Sequence, residues 1–587
     1  MKKIVITLFT GITAFFLSCE GLDQFPQDAI APENFFTKGR DLELFTNAMY
    51  NMLPAGELPV CGEAVDNIIC TSIPAEVQGS RIIATSAGGG GWSWSDLRRI
   101  NMYLQNSPKC DDDAARRRYD GVAKFFRAYF YFNKVKRFGD VPWYNYVIES
   151  NNTEALQKPR DSRVLVVDSI VRDLDYAIAN LPTARTVNEI SKWTALALKA
   201  RVCLFEGTFR KYHQQLELPG ADNLLQQAAD AAYELITQSG YSIFSATTTP
   251  YQDLFTSINP IASEIILARI YSNSLGIYHN VNYYLLTPAA GRPGLDKTFV
   301  NTYLTAAGTP FTDIPGYEMM QFFDEIQDRD PRLSQTIRTP GYKRIGETLE
   351  LPPDLKATVS GYQLIKFLTS SQYDAFTRSI NSMPIFRYAE VLLNYAEAKA
   401  ELGTLEQSDI DISIKLLRDR VEMTNLNMAT ANATPDPYMA AQYPAVSGAN
   451  KGVILEIRRE RGVELVMEGF RWDDVMRWKA ALFMIRTFKG MYFPGPGQFD
   501  LDQDGTIDVV IYTGDTPPTV TGSPAVLRLD EEIFLENGTA GGCIVVNGHI
   551  DKKFDEKRDY LFPIPIPDRL LNKNLTQNPG WDDGLNF

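Results

Sequence analysis

Cysteine and histidine are both scarce in this sequence of 587 residues, which contains six cysteines and three histidines. After Cys19 the remaining cysteines are odd in number, and no pair has C-x-x-C spacing. A disulfide framework is therefore not expected, although Cys61 and Cys70 are near enough in sequence to pair in an oxidising compartment. The histidines are isolated from one another in sequence, so neither a zinc site nor histidine-based catalysis is expected.

Other absences limit the partners and the chemistry. The chain has a formal charge of −14 and no basic block, so nucleic acid and anionic lipid are not expected to bind it. Beyond residue 18, no apolar stretch approaches the roughly 20 residues of a membrane-spanning helix. No nucleophile elbow, H-E-x-x-H helix or phosphate loop occurs, so an enzyme is not expected. A glycoside hydrolase remains an alternative, because its two carboxylates need no local motif.

The first 18 residues have the form of a secretory signal. Lys2 and Lys3 give the positive start, and residues 4–17 form an apolar run before a small residue. The tripeptide Leu-Ser-Cys that ends at Cys19 is typical of the site where a lipoprotein peptidase cuts, so Cys19 is predicted to be lipidated. Two or more acyl chains would hold the protein stably on a membrane. The alternative is an ordinary secreted protein with a coincidental cysteine.

Helical periodicity is the strongest pattern in the rest of the chain. Over 113–138, apolar residues recur at spacings of three and four, behind three aspartates and ahead of Gly139. Further helices are predicted at residues 38–53, 94–106, 162–181, 191–206, 222–238, 386–402, 409–424 and 451–482. Two consecutive pairs are joined by short loops, 162–181 with 191–206 and 386–402 with 409–424. This arrangement indicates helical hairpins packed as a solenoid, and a mainly α fold.

Two long irregular tracts separate the helices, at residues 240–385 and 484–560, and both are rich in Gly, Pro, Thr and Tyr. Tracts of this length are uncommon in a compact domain unless they carry function or small strands of their own. We therefore expect ligand contacts there, mounted on the helical scaffold.

A series of short sequence blocks runs in order towards the C-terminus. The blocks are RAYFYFNKVKRFGDVP from residue 127, ALKAR from 197, RDPRL from 329, RYAEVLLNYAE from 387, EIRRER from 456, FRWDD from 470, YLFPIP from 560 and NLTQNPG from 574. Together with the lipoprotein cysteine they resemble the SusD/RagB family of outer-membrane nutrient-binding lipoproteins. The resemblance covers nearly the whole chain.

The resemblance implies a signal peptide at 1–18 and a single domain at 19–587, with an N-terminal part of about 19–240 and a C-terminal part of about 260–587. It implies four tetratricopeptide-like helix pairs that support a large irregular, loop-rich half. It also implies a lipid-anchored outer-membrane protein, facing the cell exterior, that captures an oligosaccharide for a SusC-like TonB-dependent transporter. A peptide ligand, or a lid that makes few ligand contacts, are the alternatives.

Most residues in these blocks are expected to serve the scaffold. The run from Arg458 to Arg461 is typical of ion pairs on a helix. Tyr388 and Tyr395, seven residues apart on an apolar face, are predicted to lie in the core. Trp472 and Trp478 are likewise expected to be structural.

Sugar binding needs flat apolar faces for stacking and planar polar groups that pair with adjacent hydroxyls. The segment 66–103 offers both kinds of group, and the predicted ligand contacts from it are Asp66, Arg81, Trp92, Trp94 and Asn101. Trp92 follows four glycines, which favours a mobile or tightly turned loop. Trp94 fits a buried first-turn anchor of the next helix equally well. In the family, ligand contacts commonly come from this loop, which favours Trp92 and Arg81.

A second aromatic cluster lies in the first irregular tract and adds Tyr278, Tyr283 and Tyr284 to the predicted glycan-binding residues. Tyr278 is favoured because Gly276 and Asn280 flank it with turn-forming chemistry. The alternative is a β-hairpin with alternating tyrosines.

The segment from Asp500 to Asp508 has the spacing of a calcium loop. Carboxylates at positions 1, 3, 5 and 9 with glycine at 6 resemble EF-hand loops, in which alternating oxygens converge on one cation. The predicted ligands of a structural Ca²⁺ are Asp500, Asp502, Asp504, Asp508 and the carbonyl of Thr506. Position 12 is Ile511 in place of the usual glutamate, and the alternative is a solvated acidic turn.

Overall fold

The computed structural model describes residues 35–56 and 65–587. Its composition, 42% helix and 10% strand, confirms the mainly α fold class. Cys19 and Cys61 lie outside the described residues, so lipidation at Cys19 and pairing of Cys61 with Cys70 remain predictions. Among the described cysteines, Cys110, Cys203 and Cys543 are buried and unpaired.

The helices of the described residues follow the predicted order, with many short ones between the long ones. They are α1 Gly39–Asn47, α2 Ala75–Gln78, α3 Ser95–Asn106, α4 Asp113–Phe138, α5 Thr153–Leu156, α6 Arg163–Asn180, α7 Lys192–Tyr212, α8 Ala221–Gln238, α9 Pro250–Thr256, α10 Val281–Leu286, α11 Lys297–Val300, α12 Phe322–Glu325, α13 Tyr388–Leu402, α14 Gln407–Asp411, α15 Ile414–Asp419, α16 Met428–Ala433, α17 Pro437–Gln442, α18 Lys451–Leu465, α19 Arg471–Arg477 and α20 Ile566–Leu571.

Helix α4 shows why the sequence patterns predicted the long helices well. The Asp112 side chain accepts hydrogen bonds from the backbone N–H groups of Ala114 and Ala115, at 3.1 and 3.0 Å, and so caps the helix. Gly139 ends it with a φ of 72°, a conformation that side chains disfavour. The helix is buried on most of its circumference, because Phe125, Tyr131 and Phe132 place buried rings outside the face made by the regular spacing.

The long helices pack side by side into a stack. Helix α4 packs on α6, α6 also contacts α7, and α7 packs closely on α8. The stack continues from α8 to α13 and from α13 to α18. Gly207 permits the close approach of α7 to α8, because a β-carbon there would lie 2.8 Å from Leu225. The predicted helical hairpins are therefore parts of one continuous layer.

Two predicted helices are interrupted. The 409–424 segment divides into α14 and α15, and the 451–482 segment divides into α18 and α19. The second break has a clear cause: Lys366 Nζ donates to Val466 O at 2.7 Å, and Met467 adopts a positive φ of 67°. This turns Glu468 back to pair with Lys366 and Arg387, at 2.7 and 2.6 Å. A buried cation from a distant segment thus replaces the helical hydrogen bonds.

Short strands occur mainly in the two irregular tracts. They are β1 Ile68–Ile69, β2 Ile265–Arg269, β3 Gly294–Leu295, β4 Met383–Arg387, β5 Phe488–Phe493, β6 Gly497–Phe499, β7 Val509–Tyr512, β8 Ala525–Arg528 and β9 Gly542–Val546. Strands β1 with β3, β2 with β4, and β5 with β9 form antiparallel pairs. The remaining sheet has the order β6-β7-β8, antiparallel and then parallel. These sheets enclose a hydrophobic core of their own beside the helical core.

Buried ion pairs join the helices, which confirms the scaffold role of the charged run on α18. Glu460 accepts from Arg332 at 2.5 Å and from Arg418 at 2.9 Å. Arg461 pairs with Asp474 at 2.8 Å. All of these side chains are buried, so the loss of one partner would leave an uncompensated charge in the interior.

The two tyrosines that were predicted to lie in the core are buried, and so is one of the two tryptophans that were expected to be structural. Tyr388, Tyr395 and Trp478 are buried, whereas Trp472 is only partly covered. His213 is also buried, its Nε2 lies 2.9 Å from Met476 O, and burial lowers its pKa to about 4. Over the described ranges, no helix combines the length and apolar composition that crossing a bilayer requires.

Candidate binding site

A cavity of about 390 Å³ lies at the N-terminal end of α3, beside α20 and the segment 142–148. Its volume falls in the range of about 300–1,000 Å³ that is usual for small-ligand sites. Its lining is mainly apolar and aromatic with a few polar groups, namely Trp92, Trp94, Ser95, Leu97, Arg98, Asn101, Pro142, Tyr144, Tyr146, Ile148, Leu156, Asp568, Leu571, Asn572 and Leu575. We call it the Trp94 cavity. It brings together three of the predicted glycan-binding residues.

The glycine loop before α3 is tightly turned and tied down. Gly88 and Gly91 adopt φ values of 66° and 91°, which residues with side chains disfavour. Lys134 on α4 donates to Ser93 O at 2.6 Å and also to Gly91 O, and burial lowers the pKa of Lys134 to about 8. Asp568 accepts from Gly88 N at 2.8 Å. These contacts fix the chain on which both predicted tryptophans stand.

The two tryptophans differ in their availability. Trp92 is buried, with its ring edge-on to Phe138 at 4.8 Å and to Trp94 at 5.2 Å. Trp94 is partly exposed and packs edge-on against Tyr131 and Tyr144. Trp92 therefore packs against the inner side of Trp94, and Trp94 exposes part of its ring to the cavity. The alternative that Trp94 anchors the first turn of α3 is compatible with this position, since its inner edge packs on the core.

Asn101 stabilises the backbone of the cavity wall and is not expected to contact a ligand. Its side chain is buried, and Nδ2 donates to the carbonyl oxygens of Tyr144 and Tyr146 at 3.0 and 3.1 Å. Oδ1 accepts from Arg127 at 3.4 Å. With both ends of the amide engaged, Asn101 holds the backbone that carries the two tyrosines.

Several lining residues are not among the predicted ligand contacts. Tyr146 is 44% exposed and stands at the rim, and Arg98 is exposed with its guanidinium on Ile148 O at 2.7 Å. Asp568 and Asn572 come from the far end of the chain, Asp568 being 480 residues from Gly88. The alternation of Tyr144 and Tyr146 behind a proline was the only local signal, and no local pattern joins the C-terminus to this loop.

Asp66 is not available to a ligand, which corrects its place in the predicted set. It is buried, and its two oxygens accept from Nε and Nη2 of Arg471, each at 2.7 Å. Burial works to raise the pKa of Asp66, but Arg471 and Arg486 outweigh it and hold the pKa below its ordinary value. The carboxylate is thus a structural partner of Arg471.

Arg81 is also engaged within the protein. Its guanidinium pairs with Asp559 at 2.8 Å and lies over the rings of Phe562 and Trp581, at 4.4 and 5.5 Å. The side chain is almost fully buried, so Arg81 fastens the C-terminal segment to the loop and does not face a ligand. We therefore remove Asp66 and Arg81 from the candidate site.

The predicted tyrosine cluster forms a second exposed surface. Tyr283 lies edge-on to Tyr284 at 5.8 Å and to Phe376 at 5.3 Å, and Phe376 is 55% exposed. Tyr278 donates its hydroxyl to Asn273 Oδ1 at 2.7 Å. Helix α10 carries Tyr283 and Tyr284, so the alternative of a β-hairpin with alternating tyrosines is wrong there. We call Tyr278, Tyr283, Tyr284 and Phe376 the tyrosine surface.

The acidic loop, residues 500–508, gathers its first three carboxylates. One oxygen from each of Asp500, Asp502 and Asp504 lies within 4.8 Å of the others. Asp500 Oδ2 accepts from Gly505 N at 2.8 Å, and its Oδ1 is buried without a hydrogen-bond partner among the described residues. Burial, with the neighbouring carboxylates, raises the pKa of Asp508 to about 6. This oxygen-rich group matches what Ca²⁺ prefers, and the three carboxylates repel each other without a cation.

The fold and this cavity define a helical-repeat protein with an aromatic-lined binding pocket. The chain belongs to the SusD family, whose model matches residues 264–581. A second family model, described as starch-binding associating with outer membrane, matches residues 95–204.

Relatives of similar length support this assignment. SusD-like protein P2 of Formosa agariphila is 23% identical, over 99% of this chain and all of that protein. A SusD-like carbohydrate binding protein from Bacteroides fragilis has a TM-score of 0.68 and 21% identity, over 92% of this chain and all of that structure. A SusD-like protein from the same species has a TM-score of 0.67 and 20% identity, over 95% and 100%.

Proposed function

We propose that this protein captures an oligosaccharide at the Trp94 cavity and delivers it to a SusC-like TonB-dependent transporter. The observation that carries the proposal is the cavity itself, where the rings of Trp94 and Tyr146 stand beside Arg98 and Asn572. Rings of this kind stack on the C–H faces of sugars, and the polar groups pair with hydroxyls. The description of one similar solved structure as carbohydrate binding, and that of the second family model as starch-binding, support the same ligand class.

Binding without turnover is the simpler account of this cavity. A glycoside hydrolase needs two carboxyl groups, about 5–9.5 Å apart, across the scissile bond. Among the described residues that line the Trp94 cavity, Asp568 is the one acid, and it already accepts a hydrogen bond from Gly88 N. We therefore favour a binding protein over an enzyme.

The experiment is calorimetry of the purified mature chain against a panel of oligosaccharides, including starch, xylan and mannan fragments, with peptides as the alternative class. We expect at least one glycan to bind and its length to be unchanged after prolonged incubation. Shortened products would indicate a hydrolase. Peptide binding without glycan binding would favour the peptide alternative, and no binding of either class would favour a lid.

We further propose that Cys19 carries the lipid that holds the protein on the outer membrane, facing the exterior. The signal-like residues 1–18 and the family description that includes the outer membrane support this. Labelled palmitate should enter the wild-type protein and not a Cys19→Ser variant. Protease added to whole cells should degrade the anchored protein if it faces outward.

The acidic loop is proposed to bind one structural Ca²⁺ through Asp500, Asp502, Asp504, Asp508 and the Thr506 carbonyl. The converging carboxylates and the unpartnered Asp500 Oδ1 support this. The cation would neutralise the loop and fix the connection between β6 and β7.

A further inference from the structure

A second cavity, partly open to solvent, lies at the helical stack, where α4, α7, α13 and α19 meet the loop that follows α18. Its volume is about 360 Å³, and no residue that lines it also lines the Trp94 cavity. We call it the stack pocket. Residues 468–470, which lie in the break between α18 and α19, form part of its wall.

Aromatic rings form much of its wall. They come from three helices and the loop, and they are Tyr129, Phe132, Phe205, Phe470 and Trp472. Trp472 was expected to be purely structural, yet it is only partly covered, with one ring contact to Phe562 at 6.3 Å. Its remaining surface faces the pocket, so the ring can stack on a ligand.

The charged groups of the pocket are all compensated by partners within the protein. The pairs are Lys136 with Asp473 at 2.5 Å, Arg201 with Glu390 at 2.6 Å, Arg461 with Asp474 at 2.8 Å, Arg477 with Glu397 at 2.5 Å and Arg387 with Glu468 at 2.6 Å. An ionic ligand would find no free counter-charge here and would lose its hydration on entry. The pocket therefore suits a neutral ligand.

Three polar groups remain open for hydrogen bonding. Within the described residues, the Tyr129 hydroxyl, the Asn133 amide and the Trp472 ring N–H have no hydrogen-bond partner, and all three residues are partly or fully exposed. Tyr129 and Asn133 lie four residues apart, so they share one face of α4. A hydroxyl, an amide and a ring N–H beside flat rings match the alternating polar and apolar surface of a sugar.

We propose that the stack pocket is a second carbohydrate site, which takes a single neutral sugar residue and is independent of the Trp94 cavity. The proposal rests on the proposed function, since it assumes that glycans are the ligands. It extends that function by giving the protein two separate points of contact with its ligands. No local sequence pattern indicates this pocket, because its walls come from segments that lie far apart in the chain.

The test uses the mature protein labelled with 5-fluorotryptophan, in which each tryptophan gives its own ¹⁹F resonance. Trp472→Phe and Trp94→Phe variants assign the two resonances that matter. The probes are glucose, galactose, mannose, xylose and N-acetylglucosamine, with glucuronic and galacturonic acid as charged counterparts. We expect at least one neutral sugar to shift the Trp472 resonance in a saturable way, and neither acid to do so.

Two variants separate a bound ligand from a general effect. Asn133→Ala and Tyr129→Phe should each weaken the response of Trp472 about fivefold, the value of roughly one hydrogen bond, and leave the Trp94 response intact. The matched control is Asn47→Ala, at an exposed position of α1, which should change neither.

The outcomes distinguish the two proposals. If neutral sugars or oligosaccharides shift the Trp94 resonance and none shifts Trp472, the stack pocket is not a sugar site and the proposed function stands. An equal response to the uronic acids would overturn the neutral specificity. If no oligosaccharide binds by calorimetry and no resonance moves, the proposed function itself fails.

Discussion

Asp66 and Arg471 are 405 residues apart in sequence and form a two-point ion pair, with both N–O distances at 2.7 Å. Both side chains are buried, and Tyr443 and Arg486 complete the cluster around them. The pair fastens the segment before β1 to α19. It also explains why a residue in a promising loop has no part in ligand binding.

Replacing Asp66 by Asn should destabilise the protein by about 3 kcal/mol, because it leaves Arg471 buried without its counter-charge. Chemical denaturation gives the free energy of unfolding. The control is Asp96→Asn, whose partner Arg99 is as exposed as Asp96 itself, at 44%, and we expect it to cost less than about 1 kcal/mol. Equal losses for the two variants would contradict the structural role of Asp66.

Stability should fall in acid through Glu397. Burial tends to raise its pKa, but Arg477 outweighs that effect and lowers the pKa to about 2. Glutamate in the unfolded chain has a pKa of about 4.3. Because the folded value is the lower one, the stabilisation is present above about pH 4.3 and is lost as the pH falls towards 2.

The measurement is the free energy of unfolding at several pH values between about 2 and 5, for the wild type and Glu397→Gln. The variant should be less stable at neutral pH. Arg477 loses one of its two charged partners and keeps only Asp474, and Trp478 Nε1 loses a charged acceptor at 2.6 Å. Its stability should also depend less steeply on pH in this window. An unchanged slope would show that other acids carry the effect.

Removing the Tyr146 ring should weaken glycan binding. Tyr146→Ala takes a 44% exposed ring from the rim of the Trp94 cavity, so we expect about a tenfold loss of affinity, or roughly 1.4 kcal/mol, without loss of folding. Calorimetry against the bound glycan measures it. Tyr233→Ala, at a ring on α8 that is 48% exposed, is the matched control and should bind normally.

A parallel variant asks whether the tyrosine surface contributes. Tyr283→Ala removes the central ring between Tyr284 and Phe376. If it lowers the affinity and Tyr146→Ala does not, the main contact lies on the tyrosine surface and the Trp94 cavity is not the capture site. Losses in both variants would indicate a long glycan that reaches both surfaces.

Calcium should stabilise the acidic loop. At a concentration 100 times its dissociation constant, Ca²⁺ would add about 2.7 kcal/mol, which corresponds to a rise of a few degrees in Tm. Thermal unfolding with Ca²⁺ or with a chelator measures the difference. Asp502→Asn should remove most of it, whereas Asp515→Asn, at an acid 95% exposed outside the loop, should not. If the Tm of the wild type is the same with Ca²⁺ and with chelator, the loop is a solvated acidic turn that binds no calcium.

Local patterns predicted the elements that local physics controls. The bounds of α4 follow from its aspartate cap, its apolar period and Gly139, all within one segment. The break after α18 was not predictable, because the residue that satisfies Val466 O is Lys366, 100 residues earlier. In the same way, a tryptophan beside glycines marked the Trp94 cavity, but Asp568 and Asn572 reach it only through the path of the whole chain.

The sequence by itself determined the helical class, the order of the long helices, the scaffold role of the charges on α18 and the spacing of the acidic loop. The helices and the acidic loop follow from spacings within single segments. The charged run on α18 is visible in the same way, although its partners, such as Arg332 for Glu460, come from distant segments. Only the tertiary structure decided which polar residues are free. Asp66 and Arg81 have side chains that could hydrogen-bond a sugar, but each forms an ion pair with a residue hundreds of positions away. A buried charge without a partner is costly, so both side chains are held in these ion pairs and do not contact a ligand.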